Sequence, residues 1–251
     1  MSTWRPGFVP TSGDGDLHRR RYGAHAASGS RTVSGNGTAP RLPAQAAVAF
    51  ACLPTTYMDP SWWRDDWLPQ SLFERLRANP RSAGWLSRFV VRTLELGDVG
   101  PVDAESLEAR LLCLGAGRLE RLVVLAGVTL LSGRIAQILR GADRRLVKAA
   151  IGDDDYAFAL RRGRLLLHQA RLTPTSADLG ENDLAGTAEA SWRLGVGSLA
   201  AALQGTSAGF TRRIQLMLTR ESVDRHWVPL AGEPARFQRL FDLLDGQAAA
   251  P

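Results

Sequence analysis

Apolar positions recur at helical spacing along most of this chain. Leu119, Leu122, Val123, Ala126 and Leu130 follow an i, i+3, i+4, i+7 rhythm, while Arg118, Glu120 and Arg121 fall off that stripe. The rhythm predicts a central helix, opened by Asp103 or Ser106 as its cap. Gly115, Gly117 and Gly127 each weaken such a helix by about 1 kcal/mol relative to alanine. They point to close approach of neighbouring helices or to a break near 115–117. A second convincing helix covers Ala188 to Leu203, with Trp192, Val196 and Leu199 in register. A terminal amphipathic helix is expected over Ala235 to Leu244, after a turn from Pro229 to Pro234.

Shorter units fill the rest. Asp59-Pro60-Ser61 reads as a helix start, because proline suits the first turn, and the pattern then predicts helices over Trp62–Leu68 and Gln70–Ala78. A third is expected over Gly84–Leu96, with Trp85 and Phe89 facing inward, broken by Gly97 to Pro101. Arg134 to Leu139 precedes a stop at Gly141, and Asp143 caps a turn that runs to Ile151. Asp153-Asp154-Asp155 opens another helix carrying Tyr156, Phe158 or Ala159, and Leu160. Residues 163–172 and 210–217 fit either a helix or a short strand. Residues 173–187 read as a polar loop. No alternating series of strands is present, so the fold class is mainly α: a single helical domain with room for a few short strands.

Residues 1–44 differ from this body. They are rich in Arg, Gly and Ser, with too few large apolar groups to offset the entropy of ordering. A disordered tail is therefore expected, followed by a helical domain over 45–246. The tail up to Gln45 holds six arginines against two aspartates, which accounts for +4 of the chain's net charge of +6. Its basic character raises the alternative of a helical nucleic-acid-binding regulator. Lys148 is the sole lysine.

Cys52 and Cys113 form no CxxC pair, and a reduced compartment fits. The apolar run Leu122–Gly133 spans twelve residues, short of the roughly 20 needed to cross a bilayer. The apolar stretch Ala44–Leu53 lies too far from the terminus for a secretory signal.

Candidate chemistry fades on inspection. Gly205-Thr206-Ser207-Ala208-Gly209 matches the nucleophile elbow of α/β-hydrolases, which needs a preceding buried strand; the preceding SLAAALQ reads as helix, and no separate acid completes a set with Ser207 and His226. Gly195-Val196-Gly197-Ser198-Leu199-Ala200 matches a dinucleotide fingerprint but also lacks its strand. Asp153-Asp154-Asp155 suits a helix start better than a cation, since consecutive side chains do not converge. The four histidines, His168 and His226 among them, lack the spacing of zinc ligands. No enzyme activity and no cofactor or metal is expected. What remains is contact chemistry. Tyr57, Trp62, Trp63 and Trp67 form an aromatic block; the tryptophans read first as core, since indole buries much area, and one or two of them as contact residues of the kind enriched in binding hot spots. Arg144, Arg145, Arg161, Arg162 and Arg164 read first as a solvated helix face and, as the alternative, could line a surface for an acidic protein, because the planar guanidinium pairs bidentately with carboxylates.

Four stretches carry a family resemblance. They are FACLPTTYMDPSWW at 50–63, LEARLLCLGAGRLE at 107–120, GRIAQILRGADRRLVKAAIGDDDYAFALR at 133–161, and EASWRLGVGSLAAALQGTSAGFTRRIQLMLTRES at 189–222. Together they resemble the K-component family of bacterial type III secretion systems, the SctK/YscK-like proteins, over about 45–245. The basic tail departs from the family pattern. The resemblance implies a non-enzymatic scaffold of the sorting platform at the cytoplasmic face of the inner membrane. Its implied partners are the cytoplasmic domain of the inner-membrane ring protein and the pod, or C-ring-like, protein. Through the pod protein it would reach the stator and export ATPase. Nucleic acid is not an expected partner on this reading.

Overall fold

The computed structural model describes residues 44–175 and 184–248. The tail assigned to 1–44 therefore lies outside the described residues, apart from Ala44, which opens the first helix. Among the described residues the fold is mainly α and contains no strand. In chain order the helices are α1 (Ala44–Cys52), α2 (Gln70–Ala78), α3 (Pro80–Thr93), α4 (Leu107–Cys113), α5 (Ala116–Gln137) and α6 (Gly141–Ile151). They continue with α7 (Asp153–Phe158), α8 (Arg164–Ala170), α9 (Thr187–Ala202), α10 (Ala208–Leu216), α11 (Arg220–His226) and α12 (Pro234–Ala248). Short 3-10 turns occupy Pro54–Thr56 and Pro60–Trp62.

Helix α5 is the axis of the fold. The expected stripe is buried, but so is every residue from Leu122 to Ser132. A helix apolar on all sides runs through a core rather than lying on one. Ser106 caps α4 by accepting from the Ala109 N–H, while Asp103 caps only the turn before it. The chain then breaks at Leu114-Gly115 before α5 begins. Around α5 pack α9, α8 and α12. Phe237, Leu240, Phe241 and Leu244 form the buried face of α12. Ion pairs Arg110–Asp242 and Arg118–Asp245 tie that helix to α4 and α5. Burial pushes the Asp242 carboxyl above the usual range, against the pull of Arg110.

The contact between α5 and α9 is set by glycine. A Cβ on Gly127 would stand 1.6 Å from the Ser191 carbonyl oxygen, and one on Gly195 would stand 2.0 Å from that of Val123. Position 123 thus faces 195 while 127 faces 191, so the two helices run antiparallel with their backbones touching. Only glycine permits this, and the closeness gains dispersion contacts along both helices.

Residues 163–172, left between helix and strand by their sequence, resolve as helix through Ala170. From Asp153 to Ala170 the chain is one helical run, with a π turn at Ala159–Gly163. Ala159, Gly163, Leu166 and Ala170 are buried. A Cβ on Gly163 would meet that of Ser132 at 2.5 Å, so this face lies directly on α5. The 210–217 segment is likewise helical.

Several expected boundaries shift. The helix over Trp62–Leu68 does not form. Asp59 caps a single 3-10 turn by accepting from the Ser61 N–H, and Trp63 is extended. The acids that follow hold local groups instead: Asp66 pairs with Arg64 and Asp65 accepts from the Gln70 N–H. Helix α3 starts at Pro80, because Asn79 both ends α2 and caps α3. Gly141 opens α6 rather than stopping a unit, leaving Asp143 in its first turn. Trp85 points outward and is 55% exposed. It lies opposite the buried Leu86, Ser87 and Val90, which set the phase of α3.

Candidate partner-binding surfaces

The aromatic block divides into framework and surface. Tyr57 donates to the Phe50 carbonyl at 2.7 Å and stacks on the Phe50 ring at 5.1 Å. Trp62 is buried; its indole N–H donates to the Leu218 carbonyl at 2.8 Å, and Arg212 lies over its ring. The Asp59 N–H donates to Leu216 and the Ser61 hydroxyl accepts from the Arg220 N–H, so the whole segment is seated on α10 and α11. Trp63 is buried too, stacked on Phe73 with centroids 4.0 Å apart, and it donates to the Leu68 carbonyl. Tyr57, Trp62 and Trp63 thus hold the fold together, as the core reading of the two tryptophans expects. Beyond them the rings step outward. Trp67 meets Trp63 edge-on and touches Phe89, and Phe89 stacks on the exposed Trp85 at 6.2 Å.

Beneath Tyr57 lies a residue the sequence reading missed. Arg213 is 3% exposed and has no carboxylate partner among the described residues. Its guanidinium donates to the carbonyls of Ala51, Leu96, Gly97 and Gly209 at 2.9 to 3.3 Å. One side chain thereby joins the end of α1, the loop after α3 and the start of α10. Gly209 lets that loop approach, since a Cβ there would sit 2.1 Å from the Asp98 oxygen. Burial pushes the Tyr57 phenol well above its ordinary range, against the opposing pull of the Arg213 charge. The only sequence signal was the pairing of a glycine-rich break at 97–100 with arginines inside an apolar helix.

The arginine candidates are all at the surface. Arg144 and Arg145 project from α6, which packs against α7; Arg161 and Arg162 sit in the π turn and Arg164 opens α8. None of the five is within ion-pair distance of a carboxylate among the described residues; Arg144 donates to the Ile138 carbonyl. The same stretch of chain carries exposed leucines: Leu139, Leu146, Leu160 and Leu165. The sequence reading chose the arginines and passed over the leucines, which helical phase alone could have flagged.

The motifs set aside earlier have structural roles. Ser207 caps α10, accepting from the Phe210 N–H and donating to the Val99 carbonyl. His226 pairs with Glu189 at 2.8 Å. Gly195 abuts Val123, while Gly197 abuts Val228 and Leu230, so the apparent fingerprint is packed inside α9 with no strand or open loop. Asp153 pairs with Lys148 and Asp155 with Arg121, so their carboxylates diverge. Among the described residues no group of three or more His, Cys, Asp or Glu side chains could hold a metal ion. Among them, too, no helix is long and apolar enough to cross a membrane.

Comparison with known proteins agrees with the helical body as the informative part. Residues 45–240 match the family described as YOP proteins translocation protein K (YscK). No curated protein and no solved structure is a match. The match spans well over half of the chain and covers the α5–α9 core, the Arg213 junction and the arginine-bearing helices alike: the chain belongs to the YscK family.

Proposed function

We propose that this chain is a non-enzymatic cytoplasmic adaptor of the type III secretion sorting platform. It bridges the cytoplasmic domain of the inner-membrane ring protein to the pod, or C-ring-like, protein and, through the latter, to the stator and export ATPase. Family membership supports a sorting-platform protein in general. The observation that carries the bridging role is the surface of α6 through α8, where exposed leucines flank arginines that have no carboxylate within ion-pair distance among the described residues. Guanidinium groups offer planar, bidentate recognition of carboxylates, and the leucines supply apolar area at the same place. Because Ala159, Gly163 and Leu166 seat the π turn and α8 on α5, the backbone that carries Arg161, Arg162 and Arg164 is held in place. The entropy lost on binding is then mainly that of the arginine side chains rather than of the backbone.

A pull-down against the purified ring domain and pod protein tests this. Arg161→Glu/Arg162→Glu should lose at least tenfold in affinity for one of the two while keeping its helical circular dichroism. A folded variant that binds both normally removes the arginine face from the proposal. Wild-type protein that binds neither removes the bridging role.

A further inference from the structure

We propose that the outer face of α3 is a second docking surface, built to receive an acidic helix of a partner protein. Arg81, Trp85, Arg88 and Arg92 stand at i, i+4, i+7 and i+11 and form one exposed stripe, about 16 Å long at the α-helical rise. It lies opposite the buried Leu86 and Val90. None of the three arginines has a carboxylate within ion-pair distance among the described residues.

Arg92, in the last turn, suits the helix dipole, but the other end and the centre of the stripe are unfavourable for the isolated chain. Arg81 stands in the first turn of α3, where the helix dipole disfavours a cation. Trp85 leaves a large apolar ring in water. Gly84 beside it weakens the helix, yet a Cβ there would meet nothing within 4 Å, so no neighbour in the fold requires its absence. Local conflicts of this kind, uncompensated among the described residues, point to a functional site.

The ring is also held ready. Trp85 stacks on Phe89, Phe89 contacts Trp67 and Trp63, and Trp63 rests on the fully buried Phe73. The exposed tryptophan is the outer end of an aromatic ladder rooted in the core. Tryptophan and arginine are the residues most enriched in interface hot spots. A stripe one helix wide, with a central ring flanked by guanidinium forks, fits a crossing helix that carries carboxylates around an apolar residue. The stripe is separate from the α6–α8 face, and it rests on the adaptor reading only for which protein supplies the helix.

The test titrates the full chain with a soluble 18-residue helical peptide bearing glutamates and leucines along one face, followed by calorimetry. Wild type should bind it, while Trp85→Ala and Arg81→Glu/Arg88→Glu/Arg92→Glu should each bind at least tenfold more weakly with unchanged thermal melts. A peptide with lysine in place of glutamate should not bind. Equal binding by wild type and both variants overturns the proposal, as does no binding by wild type. Overturning it equally would be a Trp85-dependent association with phosphatidylcholine–phosphatidylglycerol vesicles, or a Trp85-dependent dimer, in place of peptide binding. The same variants titrated with the ring domain and pod protein separate the two readings. Loss in the stripe variants alone supports this surface and not the α6–α8 face. Loss in Arg161→Glu/Arg162→Glu alone does the reverse.

Discussion

The α5–α9 crossing and the Arg213 junction hold this molecule together by opposite means. At the crossing, two antiparallel backbones touch because atoms are missing: Gly127 and Gly195 leave room for the carbonyls of Ser191 and Val123. At the junction, three separate segments meet because one side chain is present, and its guanidinium binds the carbonyls of Ala51, Leu96, Gly97 and Gly209. The first contact is made by close packing and should fail when anything is added. The second is polar and should fail when something is taken away. The difference also separates what each region can tolerate. A packed crossing accepts no larger residue, whereas a polar hub accepts none that lacks the donors.

The largest effect is expected at the crossing. Gly127→Val places its Cβ where a backbone oxygen already stands, and that oxygen cannot move without displacing α9. Overpacking of this severity costs about 4 kcal/mol or more, a large share of the 5–15 kcal/mol that typically holds a domain together. Chemical denaturation should find the variant unfolded or close to it. Gly84→Ala is the control on α3, since open space surrounds that position. It should gain roughly 0.5–1 kcal/mol. A mild cost for Gly127→Val would show that the helices are separable and would dissolve the contrast with the junction.

Arg213→Met keeps much of the length and removes every donor. Four carbonyls, those of Leu96 and Gly209 in buried bonds, then lose their shared partner, for a cost of about 3 kcal/mol. The loss should be accompanied by faster amide exchange at the end of α1 and in the 96–100 loop, with α5 and α9 still protected. Uniform loss of protection across the molecule would mean that the junction is not a separate region at all.

The two regions also differed in how far their sequence disclosed them. The crossing was legible because periodicity and glycine are local signals: the stripe from Leu119 to Leu130 predicted α5, and Gly127 predicted a close neighbour. The apolar pattern of Ala188–Leu203 likewise predicted α9 to within a residue at each end. The junction was not legible, because the partners of Arg213 are backbone carbonyls, which every residue possesses and no motif records. The anchoring of Tyr57, Trp62 and Trp63 is hidden in the sequence for the same reason. Their partners are the carbonyls of Phe50, Leu218 and Leu68. The failed helix at 62–68 shows tertiary demand overriding local pattern, since Trp63 must be extended to stack on Phe73. The surface candidates fared differently again. Arginines are conspicuous in a sequence, but whether Leu146, Leu160 or Trp85 faces water depends on helix phase, and the phase of α3 was assigned in the wrong direction.

A gentler probe separates the regions without altering packing. The Tyr57 phenol lies at the edge of the junction, and burial holds its pKa above the ordinary value of about 10. The unfolded chain therefore releases this proton near pH 10 while the folded chain keeps it. Its contribution to stability is fully present below pH 10 and is lost as pH rises beyond it. The slope from this one group approaches about 1.4 kcal/mol per pH unit. Tyr57→Phe should cost about 1 kcal/mol at pH 7 through the lost bond to the Phe50 carbonyl. It should then close that gap on wild type as the pH is raised past 10, because phenylalanine has no proton to lose. Denaturant melts of both proteins at pH 8, 10 and 11 measure the difference directly. Parallel curves would mean that the phenol reaches water in the folded state, and that the junction is a wet seam rather than the buried counterpart of the glycine crossing.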